Sequence, residues 1–77
     1  MENQVIYQIP RSSDEKIYVS LREYKERKYL DLRIFFRPKE GGDLRPTKKG
    51  VTLSLELFPE LKKAVALCEK KLAVLHD

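Results

Sequence analysis

Two segments of the chain alternate apolar and polar residues with a period of two. In residues 16–24, KIYVSLREY, Ile17, Val19 and Leu21 fall on one side and Tyr18, Ser20, Arg22 and Tyr24 on the other. In residues 29–37, YLDLRIFFR, Leu30, Leu32, Ile34 and Phe36 oppose Tyr29, Asp31, Arg33, Phe35 and Arg37. This period is that of a strand with one apolar face. The short charged linker KERK between them, without Gly or Pro, predicts an antiparallel hairpin. Upstream, residues 3–9 (NQVIYQI) give a weaker strand signal ended by Pro10 and the polar RSSDE. Downstream, Pro38 ends the second strand of the hairpin, and PKEGGD reads as a turn or mobile loop with nothing apolar to anchor it. LRPTKKGVTLS resumes an extended course, with a fourth strand placed near Lys49 to Leu53; Pro46 marks an edge or an irregular start.

The period then changes. Ser54 is a helix N-cap candidate with Glu56 in the first turn, and Pro59 is tolerated there. Phe58, Leu61, Val65, Cys68, Leu72 and Leu75 recur at intervals of three and four, a heptad-like seam widened by Leu57, Ala64, Leu67 and Val74. One flank is expected to cover the sheet and the other to meet a partner subunit, although the seam is equally the core face of an ordinary amphipathic helix. The fold expected is therefore α+β: a four-stranded antiparallel sheet followed by one long C-terminal helix.

Length sharpens the partner question. One domain spanning residues 1–77 buries too little apolar surface for more than a few kcal/mol of net stability. One cysteine excludes an internal disulfide, and one histidine, His76 beside Asp77, leaves no soft-ligand metal site. Self-association is the expected remedy, with Cys68 a small buried hydrophobe in the seam. No apolar run reaches the ~20 residues of a membrane span, and MENQVIYQIPRSSDE lacks a signal-peptide layout, so a cytoplasmic, nucleoid-associated protein is expected (nuclear in a eukaryote) with no membrane partner.

Charge is uneven. Residues 22–49 hold ten Lys or Arg (22, 25, 27, 28, 33, 37, 39, 45, 48, 49) against five acids (23, 26, 31, 40, 43), whereas residues 51–77 carry four of each. The positive charge coincides with the aromatic strand faces, the combination that single-stranded nucleic acid requires: rings for bases, cations for phosphates. Taken singly, strand aromatics and surface cations are ordinary sheet residues; Tyr18, Arg22, Tyr24, Tyr29, Arg33, Phe35 and Arg37 on one face are more than one helix can cover. At the RPTKKG corner, Lys48 and Lys49 would neutralise phosphates, and Gly50 would let backbone approach a strand closely. No nucleophile beside a base, no paired carboxylates in apolar surroundings and no phosphate-binding glycine loop are present. An enzyme is not expected, nor any catalytic residue, cofactor or metal.

The ordered set KIYVSLREYKERKYLDLRIFF, RPTKKGVTLS and an amphipathic helix resembles the positive cofactor four family of transcriptional coactivators, over about residues 4 to 73. The resemblance implies a curved sheet backed by the helix, a homodimer with Phe58, Leu61, Val65, Cys68, Leu72 and Leu75 in its interface, and single-stranded DNA bound largely without sequence preference. It implies stacking at Tyr24 and at Phe36, where the family has Trp, and phosphate contacts at or beside Lys25, Arg27, Arg33, Arg45, Lys48 and Lys49, with Gly50 following. Arg22 joins these from the basic face itself. Parity puts Phe36 on the apolar side, so stacking there needs a bulge or twist, and core is its alternative fate. Thr47 stands where a glycine is usual, and Glu26 where a small residue is usual. The Ser-rich N-terminal region of the animal proteins has no counterpart, as in a minimal bacterial or viral type. Transcription or replication proteins are implied as further partners; single-stranded RNA, or an acidic protein docking on the basic sheet, are the alternative ligands.

Overall fold

The computed structural model describes residues 2–75, so His76 and Asp77 lie outside the described residues. Four strands, β1 (Glu2–Pro10), β2 (Glu15–Tyr24), β3 (Arg27–Phe36) and β4 (Arg45–Ser54), form one antiparallel sheet in sequence order. A 3₁₀ turn over Leu55–Leu57 leads into α1 (Phe58–Leu75). Both period-two segments are strands, as alternation requires. The last strand is longer than expected, starting at Arg45 rather than near Lys49.

The β2–β3 connection is tighter than KERK suggested. Tyr24 pairs with Arg27, leaving Lys25 and Glu26 alone in the turn, both left-handed at φ 50° and 65°. Positive φ at both central residues is the hairpin turn whose twist matches the strands, and it normally selects Asn-Gly. Here two ordinary side chains accept it, held by ten cross-strand pairs from Glu15–Phe36 to Tyr24–Arg27.

The segment after β3 is anchored, contrary to expectation. Pro38 is buried, its carbonyl accepts from the Gly41 N–H at 2.9 Å, and the Arg37 N–H donates to the Asp14 carbonyl at 2.8 Å. Gly41 and Gly42 supply the positive φ (86° and 97°) that the reversal needs. Ser54 caps as expected, its Oγ accepting from the Glu56 N–H at 3.4 Å.

The helix departs most from the sequence reading. Among the described residues of α1 none is buried and only Leu61 is half-buried. Val65, Leu72 and Leu75 are exposed, and so is Cys68, which was expected inside. The helix does not cover the sheet of its own chain. The radius of gyration, 15.0 Å, accordingly exceeds the ~11.5 Å of a compact 77-residue domain. Among the described residues only Leu30, Ser20 and Asp31 in the middle of the sheet, 6%, 4% and 4% exposed, and Pro38 after β3 are buried.

Candidate nucleic-acid interface

Cross-strand partners share a face, so the register sorts every side chain of the sheet. One face carries Ile9, Ile17 and Ile34, then Tyr7, Val19, Leu32 and Val51, then Leu21, Leu30 and Leu53. It is open: Tyr7, Val51 and Leu21 are exposed, and a hollow of ≈ 350 Å³ lies over Ile9, Ile17, Leu32 and Ile34. Phe36 keeps this parity, across from Glu15 and Arg45, yet is exposed because none of the described residues covers it at the end of β3.

The opposite face runs in rows: Lys16 beside Phe35; Tyr18, Arg33 and Gly50; Ser20, Asp31 and Thr52; Arg22, Tyr29 and Ser54; and Tyr24 beside Arg27 at the tip. Cations and rings therefore alternate down one surface of two central strands. Tyr18 and Phe35 stack, centroids 4.0 Å apart and planes 10° apart. Tyr24 is half-exposed, and Lys25 Nζ lies 5.3 Å from its ring centroid, within cation–π range. A hollow of ≈ 160 Å³ opens between Arg22, Tyr24, Tyr29 and Thr52.

Arg33, expected as a free phosphate contact, is tied into the sheet. Its Nε and Nη2 donate to the two Asp31 carboxylate oxygens at 3.2 and 3.0 Å, Nη1 donates to the Thr47 carbonyl at 3.0 Å, and Nη2 also reaches Thr52 Oγ1 at 3.4 Å. Thr52 in turn donates to Asp31 Oδ1 at 2.6 Å. These bonds engage four of the five guanidinium N–H groups. Burial alone would raise the Asp31 carboxyl, but hydrogen bonds from Arg33 and Thr52 and the charges of Arg33 and Arg22 outweigh it and hold the carboxyl below its usual value. Asp31 is thus an anion that fixes a cation's direction.

The corner at residues 46–50 is built by a bulge. Between the pairs Arg33–Gly50 and Phe35–Pro46, Ile34 alone faces Thr47, Lys48 and Lys49. Two extra residues leave groups without ladder partners, and Thr47 supplies them: its Oγ1 donates to the Ile34 carbonyl at 2.7 Å and accepts from the Lys49 N–H at 3.1 Å. The bulge leaves Lys48 and Lys49 exposed beside the Arg33 row. Gly50 is required by space. A Cβ there would stand 2.5 Å from the Leu32 carbonyl oxygen and 3.0 Å from Arg33 Cα.

Of the expected contacts, Arg22, Tyr24, Arg27 and Arg33 lie on the one basic and aromatic face, with Lys25 in the turn at its tip; Lys48 and Lys49 are exposed in the bulge, and Lys49 also lines the hollow over the apolar face. Arg45 and Phe36 pair at the far end with the other parity. Tyr18, Tyr29 and Phe35 share the face though they were outside the expected contacts; alternation placed them there, but only register shows which rings meet. Among the described residues no group of His, Cys, Asp and Glu is arranged to hold a metal ion.

Comparison with known proteins agrees with this architecture. The family model described as Transcriptional Coactivator p15 (PC4) matches residues 12–64. Among solved structures, a PC4 homologue from Burkholderia pseudomallei is 26% identical in each of two crystal forms. Its orthorhombic form superposes with a TM-score of 0.78 over 88% of this chain and 90% of that one, and its tetragonal form with 0.79 over 88% and 98%. A bacteriophage T5 homologue of the eukaryotic coactivator PC4, implicated in recombination-dependent DNA replication, shares the fold at 22% identity, with a TM-score of 0.77 over 99% of this chain and 86% of that one.

Proposed function

The chain belongs to the transcriptional coactivator p15 (PC4) family, and on that basis we propose that it is a non-enzymatic protein that binds single-stranded DNA as a homodimer. The observation that carries the reading is the face on which Tyr24, Tyr29, Arg22, Arg27 and Arg33 stand together, with Lys48 and Lys49 exposed in the neighbouring bulge of β4. Bases stack on rings and phosphates meet cations, with no arrangement that reads base edges in a groove. Holding melted strands in this way would serve transcription, replication or repair, in keeping with a phage homologue implicated in recombination-dependent DNA replication. The location that goes with this proposal is cytoplasmic and nucleoid-associated, or nuclear in a eukaryote.

The dimer rests on two uncovered apolar surfaces in one chain. The sheet face around Ile17, Leu32 and Val51, and the α1 seam of Phe58, Leu61, Val65, Cys68, Leu72 and Leu75, both lack a cover within the chain. A second copy offers each of them the other's kind of surface. Leu72→Asp should then give monomer or unfolded protein on sizing; a folded dimer of normal affinity would place the interface elsewhere.

The binding test is a titration of single-stranded DNA, duplex DNA and RNA oligonucleotides at two salt concentrations. If about six phosphates are neutralised at ~0.7 released ions each, log affinity falls with log salt at a slope of about −4, so a fourfold rise in salt weakens binding by roughly 250-fold. Affinity insensitive to salt, or tighter binding to duplex than to oligo-dT, would refute the reading. Preference for the RNA strand would reassign the ligand.

A further inference from the structure

Two aromatic pairs on the basic face occupy the same register relation but differ in state. Tyr18 pairs with Arg33, and two residues further along β3 is Phe35; Tyr24 pairs with Arg27, and two residues further is Tyr29. Both pairs are diagonal neighbours on one face in one direction, whose separation is about 7–8 Å at the backbone. Tyr18 and Phe35 have leaned together to 4.0 Å. Between Tyr24 and Tyr29 a hollow of ≈ 160 Å³ remains, closed at its sides by Arg22 and Thr52.

We propose that Tyr24 and Tyr29 form an open clamp that takes a single nucleobase between their rings, a step that rests on the single-stranded DNA reading above. An upright diagonal pair leaves a gap of about two van der Waals contacts, roughly 7–8 Å, which is the space of one flat ring stacked on both sides. Tyr29 is half-buried and forms the fixed inner wall; Tyr24, 51% exposed, forms the outer wall at the entrance. Lys25 beside the Tyr24 ring, with Arg22 on the wall and Arg27 across the strand, surrounds the entrance with positive charge. A flat heterocycle joined to an anionic backbone fits that combination, whereas an apolar side chain of a protein partner would gain nothing from the cations. The Thr52 hydroxyl is already donated to Asp31. The clamp consequently holds a base through its two flat faces, with the Thr52 proton unavailable to its edge. The Tyr18–Phe35 stack, by contrast, is filled by its own rings and serves as support.

The test is a double-mutant cycle read by binding to a labelled oligo-dT strand, using Tyr24→Leu, Tyr29→Leu and the double variant. Each Leu variant should weaken binding about five- to a hundredfold. The double variant should lose little more than either single one, because one base bridges both rings. A Tyr29→Leu protein of unchanged affinity, or a double loss equal to the product of the singles, overturns the clamp. The unaltered protein supplies an independent check with one 2-aminopurine moved along the dT strand. Strong quenching at a bound position supports the clamp, and its absence at every position overturns it. Wild-type protein that fails to bind any single strand would instead refute the function proposed above, so the two failures are distinguishable.

Discussion

Replacing Gly50 with Ala isolates the close approach on which the basic corner depends. The new methyl would lie 2.5 Å from the Leu32 carbonyl oxygen, 3.0 Å from Arg33 Cα and 3.1 Å from Arg33 Cζ. Two of those neighbours are backbone in the middle of β3, so relief must come from moving β4 outward. That movement strains the Arg33–Gly50 pair, the bond from Arg33 Nη1 to Thr47 and the contact to Thr52. Overpacking of this kind costs about 1–3 kcal/mol, offset by the ~0.4–1 kcal/mol that Ala gains by restricting the unfolded chain. The net loss of about 1–2 kcal/mol corresponds to roughly 4–16 °C in Tm for a domain of this size. Thermal unfolding followed by circular dichroism measures it, at one fixed protein concentration because association would shift Tm. Gly42→Ala is the informative control: nothing lies within 4 Å of its Cβ, but its φ of 97° disfavours any side chain. Loss at residue 42 alone, with Gly50→Ala as stable as wild type, would refute the steric account of Gly50.

Three further outcomes follow from the same geometry. Asp31→Asn should destabilise by about 1–3 kcal/mol near neutral pH by leaving the half-buried Arg33 charge poorly partnered. Because the Asp31 carboxyl is depressed in the folded state, its contribution is present above 3.8 and lost as pH falls through its folded value. The gap between variant and wild type in urea unfolding should therefore narrow at acid pH, and a constant gap would contradict the ion pair. Glu26→Gly should stabilise by about 0.5–1 kcal/mol, since a left-handed non-glycine residue costs ~1–2 kcal/mol and glycine's freedom returns part of that; an unchanged Tm would mean the turn is unstrained. Thr47→Val keeps the shape but strips the Ile34 carbonyl and the Lys49 N–H of their partner, for an expected loss of about 1–2 kcal/mol and weaker strand binding as Lys48 and Lys49 lose their fixed direction. Unaltered stability and affinity would show that the bulge holds itself.

Asp31 shows where reading of the site from sequence stopped. Alternation placed it on the polar face, among Tyr29 and Arg33, but gave no sign that it would be 4% exposed or would hold Arg33 by two bonds. An i, i+2 carboxylate and guanidinium meet only because a strand puts both on one side, and the third member, Thr52, arrives from 21 residues away. The Tyr24–Tyr29 hollow likewise follows from a two-residue turn that the linker KERK did not specify: one more residue in the turn would have put Tyr29 on the other face. Local signals did carry the bulge, since Pro46 denied β4 a regular start and Gly50 marked a close approach.

The sequence by itself determined the order of four strands and a helix, the split of each central strand into an apolar and a basic-aromatic face, and the Ser54 cap. These depend on periodicity and local backbone chemistry, which are properties of neighbouring residues. The tertiary structure decided what those faces meet. It left α1, with Cys68 and all of the heptad seam except half-buried Leu61, exposed, and Phe36 exposed despite its apolar parity. It also committed Arg33 to Asp31. Burial and pairing depend on register and on which surfaces reach one another, and a pattern of apolar positions states only that a surface needs a cover.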